Sequence, residues 1–290
     1  MTREEFRRLT EKGVVLLDGA TGSNLRLAGM PVGVATEQWV LENPEPLMAL
    51  QRAYIDAGSR IVYASTFSAN RLSLRHFGLE HRVEEMNARL VQISREAAGG
   101  RALVAGDLTT VGMPLEPVGE LSYQTLFDVY AQQIEAQAKA GADLLVAETL
   151  MSVDEATAAV DAAQSVCDLP IMCTLTVAAD GNALYGGSAV EAVTTLQEMG
   201  AAAAGINCSC GPDQLEAVVR CMCQVAKIPV IVKPNAGMPQ INERGEAIYD
   251  MGAADFARHM KKLAALGATV LGGCCGTTPE YIRALAAAVR

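Results

Sequence analysis

Three cysteines stand at the ends of apolar runs, where the side chains of a buried strand become accessible. Cys208 ends the run AAAAGINC, and the adjacent pair Cys274–Cys275 follows TVLGG near the end of the chain. The two positions lie too far apart for the local spacing of a zinc finger. Three thiolates from two strand ends can provide three corners of a tetrahedron, and zinc prefers such ligands. The pattern therefore predicts a catalytic zinc site whose fourth position is open to a substrate.

Two other interpretations of these cysteines remain open from the sequence. A free cysteine is often a small buried apolar residue, and adjacent cysteines can form a redox pair, although the usual redox spacing is Cys-x-x-Cys. Cys210 lies two residues beyond Cys208, so a different strand end would exchange the two. We expect the remaining cysteines to have only a packing role: Cys167, Cys173, Cys221 and Cys223.

Polar side chains end most of the other apolar runs. Asp18 follows VVLL, Asp107 follows ALVAG, and Glu148 follows DLLVA. Three further runs end in the same way, with Thr66, Thr176 and Asn235. When parallel strands form a closed barrel, their carboxyl ends meet at one mouth, and active sites lie there. The sequence therefore predicts one cluster of thiols, carboxylates and amides.

Lys233, near the end of its apolar run, offers a different chemistry. A lysine at a barrel mouth can form a Schiff base with a carbonyl substrate, so a metal-free aldolase or lyase is a competing hypothesis. Lys233 precedes a proline in VIVKPNAG, and its side chain could equally point outward into the helix layer. The metal content of the protein separates this hypothesis from the zinc site.

The elements that must position these residues follow a regular alternation. Apolar runs typical of parallel strands covered on both faces occupy the ranges 14–21, 60–67, 102–109, 143–150, 170–177, 201–208, 229–237 and 269–276. Helical patterns between them end on glycine, which favours the left-handed residue after a helix. Eight such units in 290 residues indicate an α/β protein, a (β/α)8 TIM barrel that forms a single domain over residues 1–290. A doubly wound dinucleotide-binding sheet would need Gly-x-Gly-x-x-Gly after its first strand, and GATGSN does not match.

Composition narrows the class of protein further. The formal net charge of −10 argues against a nucleic-acid binder, because such proteins need a basic face. No apolar run approaches the ~20 residues of a membrane span. The charged start, MTREEFRRLTEK, is unlike a secretory signal. We therefore expect a cytoplasmic protein with no membrane partner, whose eight cysteines are thiols and not disulfides.

The segments LDGATGSNL, TFSAN, GDLT, AETL, GINCS, PNAG and GGCCGTTPEYI together resemble the homocysteine S-methyltransferase family. Within it, the chain is most similar to the homocysteine-binding module of cobalamin-dependent methionine synthases, and the resemblance covers nearly the whole chain. It implies a (β/α)8 barrel whose catalytic zinc (Zn2+) is held by Cys208, Cys274 and Cys275. It also implies that Asp18 and Glu148 receive the amino group of homocysteine.

By the same resemblance, the backbone at Gly19 and Ala20 lies near the substrate and Thr66 lies on the same rim. Asn207 is expected to contact the substrate close to the metal, and Asn235 is expected near the metal. We further hypothesise that the side-chain oxygen of Asn235, or a water, fills the fourth metal position until homocysteine displaces it. Asn235 could instead only cap the following loop, because asparagine often bonds its own backbone.

The resemblance implies a zinc-dependent transfer of a methyl group to the thiol of homocysteine, which forms methionine. The expected donor is a methylated corrinoid protein supplied in trans. Betaine or S-methylmethionine are alternative donors, and Trp39 and Tyr63 could form part of the aromatic cage that a quaternary ammonium favours. The aromatic content of only 4% argues against such a cage. A second alternative is a non-catalytic subunit that binds a thiol or zinc within a corrinoid methyltransferase system.

Overall fold

Strands that are buried on both faces form the centre of the fold, as the apolar runs predict. The computed structural model describes residues 1–241 and 247–289. Its strands are β1 (Val15–Leu16), β2 (Ile61–Tyr63), β3 (Leu103–Thr109), β4 (Leu144–Leu150), β5 (Ile171–Leu175), β6 (Ala203–Cys208), β7 (Val230–Pro234), β8 (Gln240–Ile241), β9 (Ala247–Ile248) and β10 (Ala268–Leu271). Over these residues, eight parallel strands pair in the order β1-β10-β7-β6-β5-β4-β3-β2, and β8 and β9 form a separate two-stranded antiparallel sheet.

Helices connect consecutive strands and cover the outside of the sheet. They are α1 (Arg3–Glu11), α2 (Gly22–Leu27), α3 (Thr36–Glu42), α4 (Pro44–Ala57), α5 (Arg71–Arg75), α6 (Val83–Ala98), α7 (Tyr123–Lys139), α8 (Val153–Val166), α9 (Ala189–Glu198), α10 (Glu216–Val225), α11 (Ala253–Ala265) and α12 (Pro279–Val289). The hydroxyls of Ser122, Ser152 and Ser188 cap α7, α8 and α9 by accepting a backbone N–H three residues later. Gly141 follows α7 with a φ of +91°, as the glycine at a helix end predicts.

Contacts between β1 and β2 nearly close the sheet into a barrel. The backbone N–H of Arg60 donates to the carbonyl of Leu16 at 2.7 Å. Beyond this bond the two strands do not pair through their backbones. The N–H of Tyr63 instead donates to the carboxylate of Asp18, also at 2.7 Å. The carboxylate of Asp18 therefore takes the place of a backbone acceptor at this point of the barrel wall.

The amino-terminal end of the barrel is filled by apolar side chains. Phe6 of α1 is 1% exposed and packs with the strand residues that point into the barrel. These include Val15, Leu17, Ile61, Val146, Met172, Ile231 and Val270. Apolar packing therefore closes the interior of the barrel at its amino-terminal end.

The predicted (β/α)8 fold is confirmed, but several strands are shorter than predicted. The first run was expected to extend over 14–21, and β1 contains only Val15 and Leu16, because the chain leaves the sheet to form the wall of a cavity. The last run was expected to reach 276, and β10 ends at Leu271. The pair Cys274–Cys275 therefore lies in the turn after β10. The alanine-rich run before Cys208 does form a strand, β6.

Within the described part of the chain, no helix is both long enough and apolar enough to cross a bilayer.

Candidate active site

A cavity of about 380 Å³ opens at the carboxyl ends of the barrel strands. It contains most of the polar residues that the sequence places at run ends. Its chemically active lining consists of Asp18, Glu37, Tyr63, Asp107, Glu148, Thr149, Cys208, Lys233, Cys274 and Cys275. The backbone at Gly19 and Ala20 also lines it. The fold therefore collects thiols, carboxylates and one amine in a single cavity.

The three predicted cysteines meet at one side of this cavity. The sulfur atoms of Cys208, Cys274 and Cys275 all lie within 4.8 Å of one another. The sulfurs of Cys208 and Cys275 are 4.0 Å apart, well beyond a disulfide bond. In a tetrahedron with metal–sulfur bonds of about 2.3 Å, two sulfurs lie about 3.8 Å apart. The separations of the three sulfurs therefore fit a four-coordinate metal such as zinc.

The backbone at this site is held in a conformation that few side chains adopt. Thr149, Cys208 and Ser209 have φ values of +62°, +61° and +65°. A non-glycine residue in this left-handed region costs of order 1–3 kcal/mol, and such residues concentrate at functional sites. At Cys208 this conformation ends β6 and directs the sulfur toward the turn that carries the other two cysteines.

Asn207 lies directly behind the thiols. Its Oδ1 accepts hydrogen bonds from the N–H of Thr149 and the hydroxyl of Thr174, both at 2.8 Å. Its Nδ2 donates to the hydroxyl of Thr149 and lies 4.0 Å from the sulfur of Cys274. Asn207 thus connects β4, β5 and β6 and touches a predicted metal ligand without lining the cavity.

Asn235, the candidate fourth ligand, follows the end of β7. Its Nδ2 donates to the carbonyl of Ser209 at 3.1 Å. Its buried Oδ1 has no hydrogen-bond partner among the described residues, so this oxygen is available to accept a hydrogen bond or to act as a metal ligand. Cys210 does not join the sulfur cluster found over the described chain, and its carbonyl instead accepts the N–H of Asn235.

The thiols share their protons. Hydrogen bonds from Cys208 and Cys274 lower the pKa of Cys275 to about 3, whereas the same kind of contact with Cys274 and Cys275 raises the pKa of Cys208. The ring of Tyr249, in the loop after β9, lies against Gly276, next to Cys275, and burial together with the charge of Cys275 raises the pKa of its phenol. Sequence reasoning missed Tyr249, because nothing near it in the chain marks it as a site residue. Each thiol therefore changes the pKa of its neighbours, as expected where a cation would take the place of their protons.

Three carboxyl groups form the other side of the cavity. Asp18, Asp107 and Glu148 are 1%, 4% and 7% exposed. Burial raises the pKa of all three, and the ammonium of Lys233 partly opposes this effect. The pKa of Glu148 rises to about 7. The floor of the cavity is therefore acidic, with more carboxyl groups than cations.

Lys233 extends from β7 into the barrel and not outward into the helix layer. Its Nζ lies 3.5 Å from Asp18 Oδ1, 3.7 Å from Glu148 Oε2 and 4.7 Å from the ring centre of Tyr63. Burial would lower the pKa of Lys233, but the charges of Glu148 and Asp18 outweigh it and leave the pKa well above the usual value. A Schiff base needs a neutral amine. The protonated Lys233 therefore does not favour the aldolase hypothesis.

A hydrogen-bonded network fixes the wall at Gly19 and Ala20. The hydroxyl of Tyr54 donates to the carbonyl of Ala20 at 2.8 Å, and the N–H of Ala20 donates to the hydroxyl of Thr277 at 3.1 Å. Thr277 donates in turn to the carbonyl of Cys274 at 2.7 Å. Hydrogen bonds thus connect the cavity wall at Gly19 and Ala20 to the turn that carries Cys274 and Cys275. Neither Tyr54 nor Thr277 was identified from the sequence.

Thr66 was expected on the rim, facing the substrate, and the structure places its side chain elsewhere. Its hydroxyl donates to the carbonyl of Asp107 at 2.8 Å and accepts hydrogen bonds from the N–H of Asp107 and from Gln137. Gln137 belongs to α7, so the side chain of Thr66 points into the helix layer. Thr66 therefore holds Asp107 in place and does not line the cavity.

The two aromatic residues considered for a cage do not form one. Tyr63 lines the cavity, but one face of its ring is occupied by Lys233 at 4.7 Å. Trp39 packs against the apolar cluster around α3, α4 and α6 and is not a lining residue. This arrangement offers little to a quaternary ammonium donor.

Comparisons with known proteins agree with this geometry. The family model described as homocysteine S-methyltransferase matches residues 15–289. Methionine synthases of Mycobacterium tuberculosis and Mycobacterium leprae are each 29% identical to the chain over 95% of its length. The chain spans only 24% of either relative. The metallated form of the homocysteine methyltransferase MmuM from Escherichia coli has the same fold, with a TM-score of 0.81, 24% identity and coverage of 97% of this chain and 99% of that one.

Proposed function

Because this chain belongs to the homocysteine S-methyltransferase family, we propose that it transfers a methyl group to the thiol of homocysteine and forms methionine. The observation that carries the proposal is the meeting of three thiols and an acidic floor in one cavity. We assign this role to residues 1–290 as one homocysteine-binding barrel domain.

Cys208, Cys274 and Cys275 would hold a zinc ion at the side of the cavity. The mutual distances of their sulfurs and the unpartnered Oδ1 of Asn235 support a site with three protein thiolates and one exchangeable ligand. When bound, zinc supplies a binding position at which the thiol of homocysteine is deprotonated at neutral pH. The remaining steps depend on residues of the chain itself.

Asp18 and Glu148 orient the substrate by its ammonium group. Both carboxyl groups are buried and face the cavity, and both retain an oxygen without a hydrogen-bond partner within the described residues. The rigid wall at Gly19 and Ala20 limits where the rest of homocysteine can lie. With its two ends fixed, the substrate presents its sulfur toward the open mouth, which reduces the entropy cost of reaction.

The transfer itself is a nucleophilic displacement. An electron pair of the homocysteine sulfur forms the new bond to the methyl carbon, while the bond between that carbon and the donor breaks and its electron pair leaves with the donor. Because the sulfur is already a thiolate, this step needs no general base. The residues of the cavity serve to bind, to orient and to exclude competing nucleophiles.

The methyl donor that we propose is a methylated corrinoid protein acting in trans. Apolar side chains are exposed on the connections after β1, β3 and β5, at the end of the barrel where the cavity opens: Leu27, at the end of α2, and the loop residues Val32, Val118 and Leu184 are 83%, 79%, 72% and 71% exposed. An apolar rim of this kind favours a protein partner over a small soluble donor. Betaine and S-methylmethionine remain the alternative donors.

The test is methionine formation by the purified, zinc-loaded chain. Homocysteine is supplied with methylcobalamin, betaine or S-methylmethionine in separate reactions, and methionine is measured by mass spectrometry. We expect product with methylcobalamin, and more with a methylated corrinoid protein. Product with only an onium compound would reassign the donor. Zinc and homocysteine binding without product from any donor would instead support the non-catalytic thiol-binding subunit.

A further inference from the structure

The floor of the cavity has an imbalance of charge. Asp18, Asp107 and Glu148 supply three carboxyl groups, and Lys233 is the cation that the described residues place among them. Lys233 lies within ion-pair distance of Asp18 and Glu148, and no ion pair to Asp107 is found over the same residues. Buried charges are stable only when they are paired. The floor therefore has a place for a second cation beside Asp107.

The backbone of Asp107 is held firmly, whereas its carboxyl group is free. Its N–H donates to Thr66 Oγ1 at 3.0 Å, and its carbonyl accepts from Gln137 Nε2 at 2.8 Å. The carboxyl group faces the cavity, and Oδ1 is buried without a hydrogen-bond partner in the described chain. Glu37, a further acid at the cavity, differs because it accepts the N–H of Ser68 at 2.8 Å.

Three carboxyl oxygens in this part of the cavity lack a hydrogen-bond partner within the described residues. Asp18 Oδ1, Asp107 Oδ1 and Glu148 Oε2 are all buried, and among residues 1–241 and 247–289 none has a hydrogen-bond partner. Lys233 Nζ, at 3.5 Å and 3.7 Å, is near two of them but beyond normal hydrogen-bond length. A primary ammonium group has three N–H donors. Three acidic acceptors thus match the three N–H donors of the ammonium group of an amino-acid substrate.

We propose that the carboxyl group of Asp107 binds the ammonium group of homocysteine together with Asp18 and Glu148, an inference that rests on the proposed function. Burial and the charge of Glu148 raise the pKa of Asp107, as expected for a carboxyl group that lacks a cation when the cavity is empty. The three acids line the same cavity as Cys208, Cys274 and Cys275. A short substrate with a thiol at one end and an ammonium at the other can reach both.

The test compares two thiols in wild-type protein and in Asp107→Asn. Homocysteine and 4-mercaptobutanoate differ only in the amino group, and their affinities for the zinc-loaded protein are measured by calorimetry. Asp107→Asn keeps the shape of the side chain and removes its charge. We expect its affinity for homocysteine to fall about ten- to one-hundred-fold, and its affinity for 4-mercaptobutanoate to change less than about twofold. Asp128→Asn, a matched change at an exposed position on α7 and away from the cavity, should keep the wild-type preference.

An equal loss for both thiols would make Asp107 a structural residue and overturn the inference, and so would an unchanged preference for homocysteine. Zinc content is measured in each variant to show that the metal site is intact. Because the readout is binding, it does not depend on the methyl donor. A wild-type protein that binds homocysteine but forms no methionine would refute the proposed activity while the assignment of Asp107 stands. A wild-type protein that does not bind homocysteine would refute both.

Discussion

The ammonium group of Lys233 lies 3.5 Å from Oδ1 of Asp18, so a carboxylate that we assign to the substrate already faces an internal cation. The charge of Lys233 lowers the pKa of Asp18 and of Glu148 and opposes the effect of burial. Lys233 therefore keeps these acids closer to their charged form before a substrate arrives. An incoming ammonium group has to share the acids with Lys233.

Replacing Cys274 by alanine tests the metal site. The sulfur of Cys274 is one of only three within the cluster, so its loss leaves too few thiolates for tight zinc binding. We expect Cys274→Ala to lose most of its zinc and its activity but to remain folded, because apolar packing holds the barrel. Metal content is measured by mass spectrometry and folding by circular dichroism. Cys221→Ala, at an exposed position on α10, is the control and should keep its zinc. Full zinc in Cys274→Ala would show that the ligand assignment is wrong.

Replacing Glu148 by glutamine tests the electrostatic part of substrate binding. The change removes a charge at nearly constant shape, so packing is preserved. We expect homocysteine to bind more weakly by about 1.5–3 kcal/mol, the range of a charge-assisted hydrogen bond. Calorimetric titration measures the affinity, and the zinc content should stay that of the wild type. An affinity equal to that of the wild type would remove Glu148 from the substrate site.

The affinity for homocysteine should depend on pH near neutrality. The pKa of Glu148 is raised to about 7, so its negative charge is present above that pH and is lost as the pH falls through it. We expect the Kd of homocysteine to rise as the pH decreases from about 8 to about 6. Glu148→Gln has no group to titrate at this position and should give a flatter profile. Parallel profiles in the two proteins would show that another group controls the pH dependence.

Glycine at position 19 should be required by the wall of the cavity. A Cβ atom there would lie 2.6 Å from Tyr54 Oη and 2.8 Å from Thr277 Oγ1, closer than non-bonded atoms approach. We expect Gly19→Ala to lose about 1–3 kcal/mol of stability through forced displacement of this network. Gly22→Ala is the matched control, since its Cβ would meet nothing within 4 Å. Thermal unfolding compares them, and equal Tm values would contradict the prediction.

The exposed apolar side chains near the cavity should affect the rate of methyl transfer only when the donor is a protein. Leu184 is 71% exposed on the loop after β5, and an aspartate there would place a charge against an apolar partner. We expect Leu184→Asp to lower kcat/KM for a methylated corrinoid protein about fivefold or more, and to leave the rate with free methylcobalamin unchanged. Val225→Asp, at the end of α10, is the control. An equal loss with both donors would argue against docking at this rim.

The fold was predictable because burial on both faces leaves a strong apolar signal in each parallel strand. Even the run before Cys208, where the alanines favour a helix, became β6 because its neighbours β5 and β7 pair with it. The limits of β1 were less predictable. A carboxylate at Asp18 completes the wall there, and no local pattern shows that a side chain will replace a backbone acceptor.

Sequence motifs identified several residues of the candidate site, but they did not show where the side chains of these residues point. The doublet Cys274–Cys275 between glycines directed attention to the thiols, and the structure brings them to Cys208. The side chain of Lys233 points into the barrel, where it lies near Asp18, Tyr63 and Glu148. These residues are distant in the chain, so no local pattern in the sequence shows the direction of this side chain. Thr66 shows the same limit, since its hydroxyl is used by Asp107 and α7.

The double role of Asp18 has a consequence for molecular recognition. One oxygen of its carboxylate accepts the N–H of Tyr63 at 2.7 Å and helps to join β1 to β2, while the other faces the cavity. The rotamer of Asp18 is therefore fixed by the barrel before any ligand arrives. A ligand that binds this oxygen does not lose free energy to immobilise the side chain, a cost of about 0.5–1.5 kcal/mol for a flexible one. The contact between the first and second strands thus fixes the position of a carboxylate oxygen in advance of any cationic ligand.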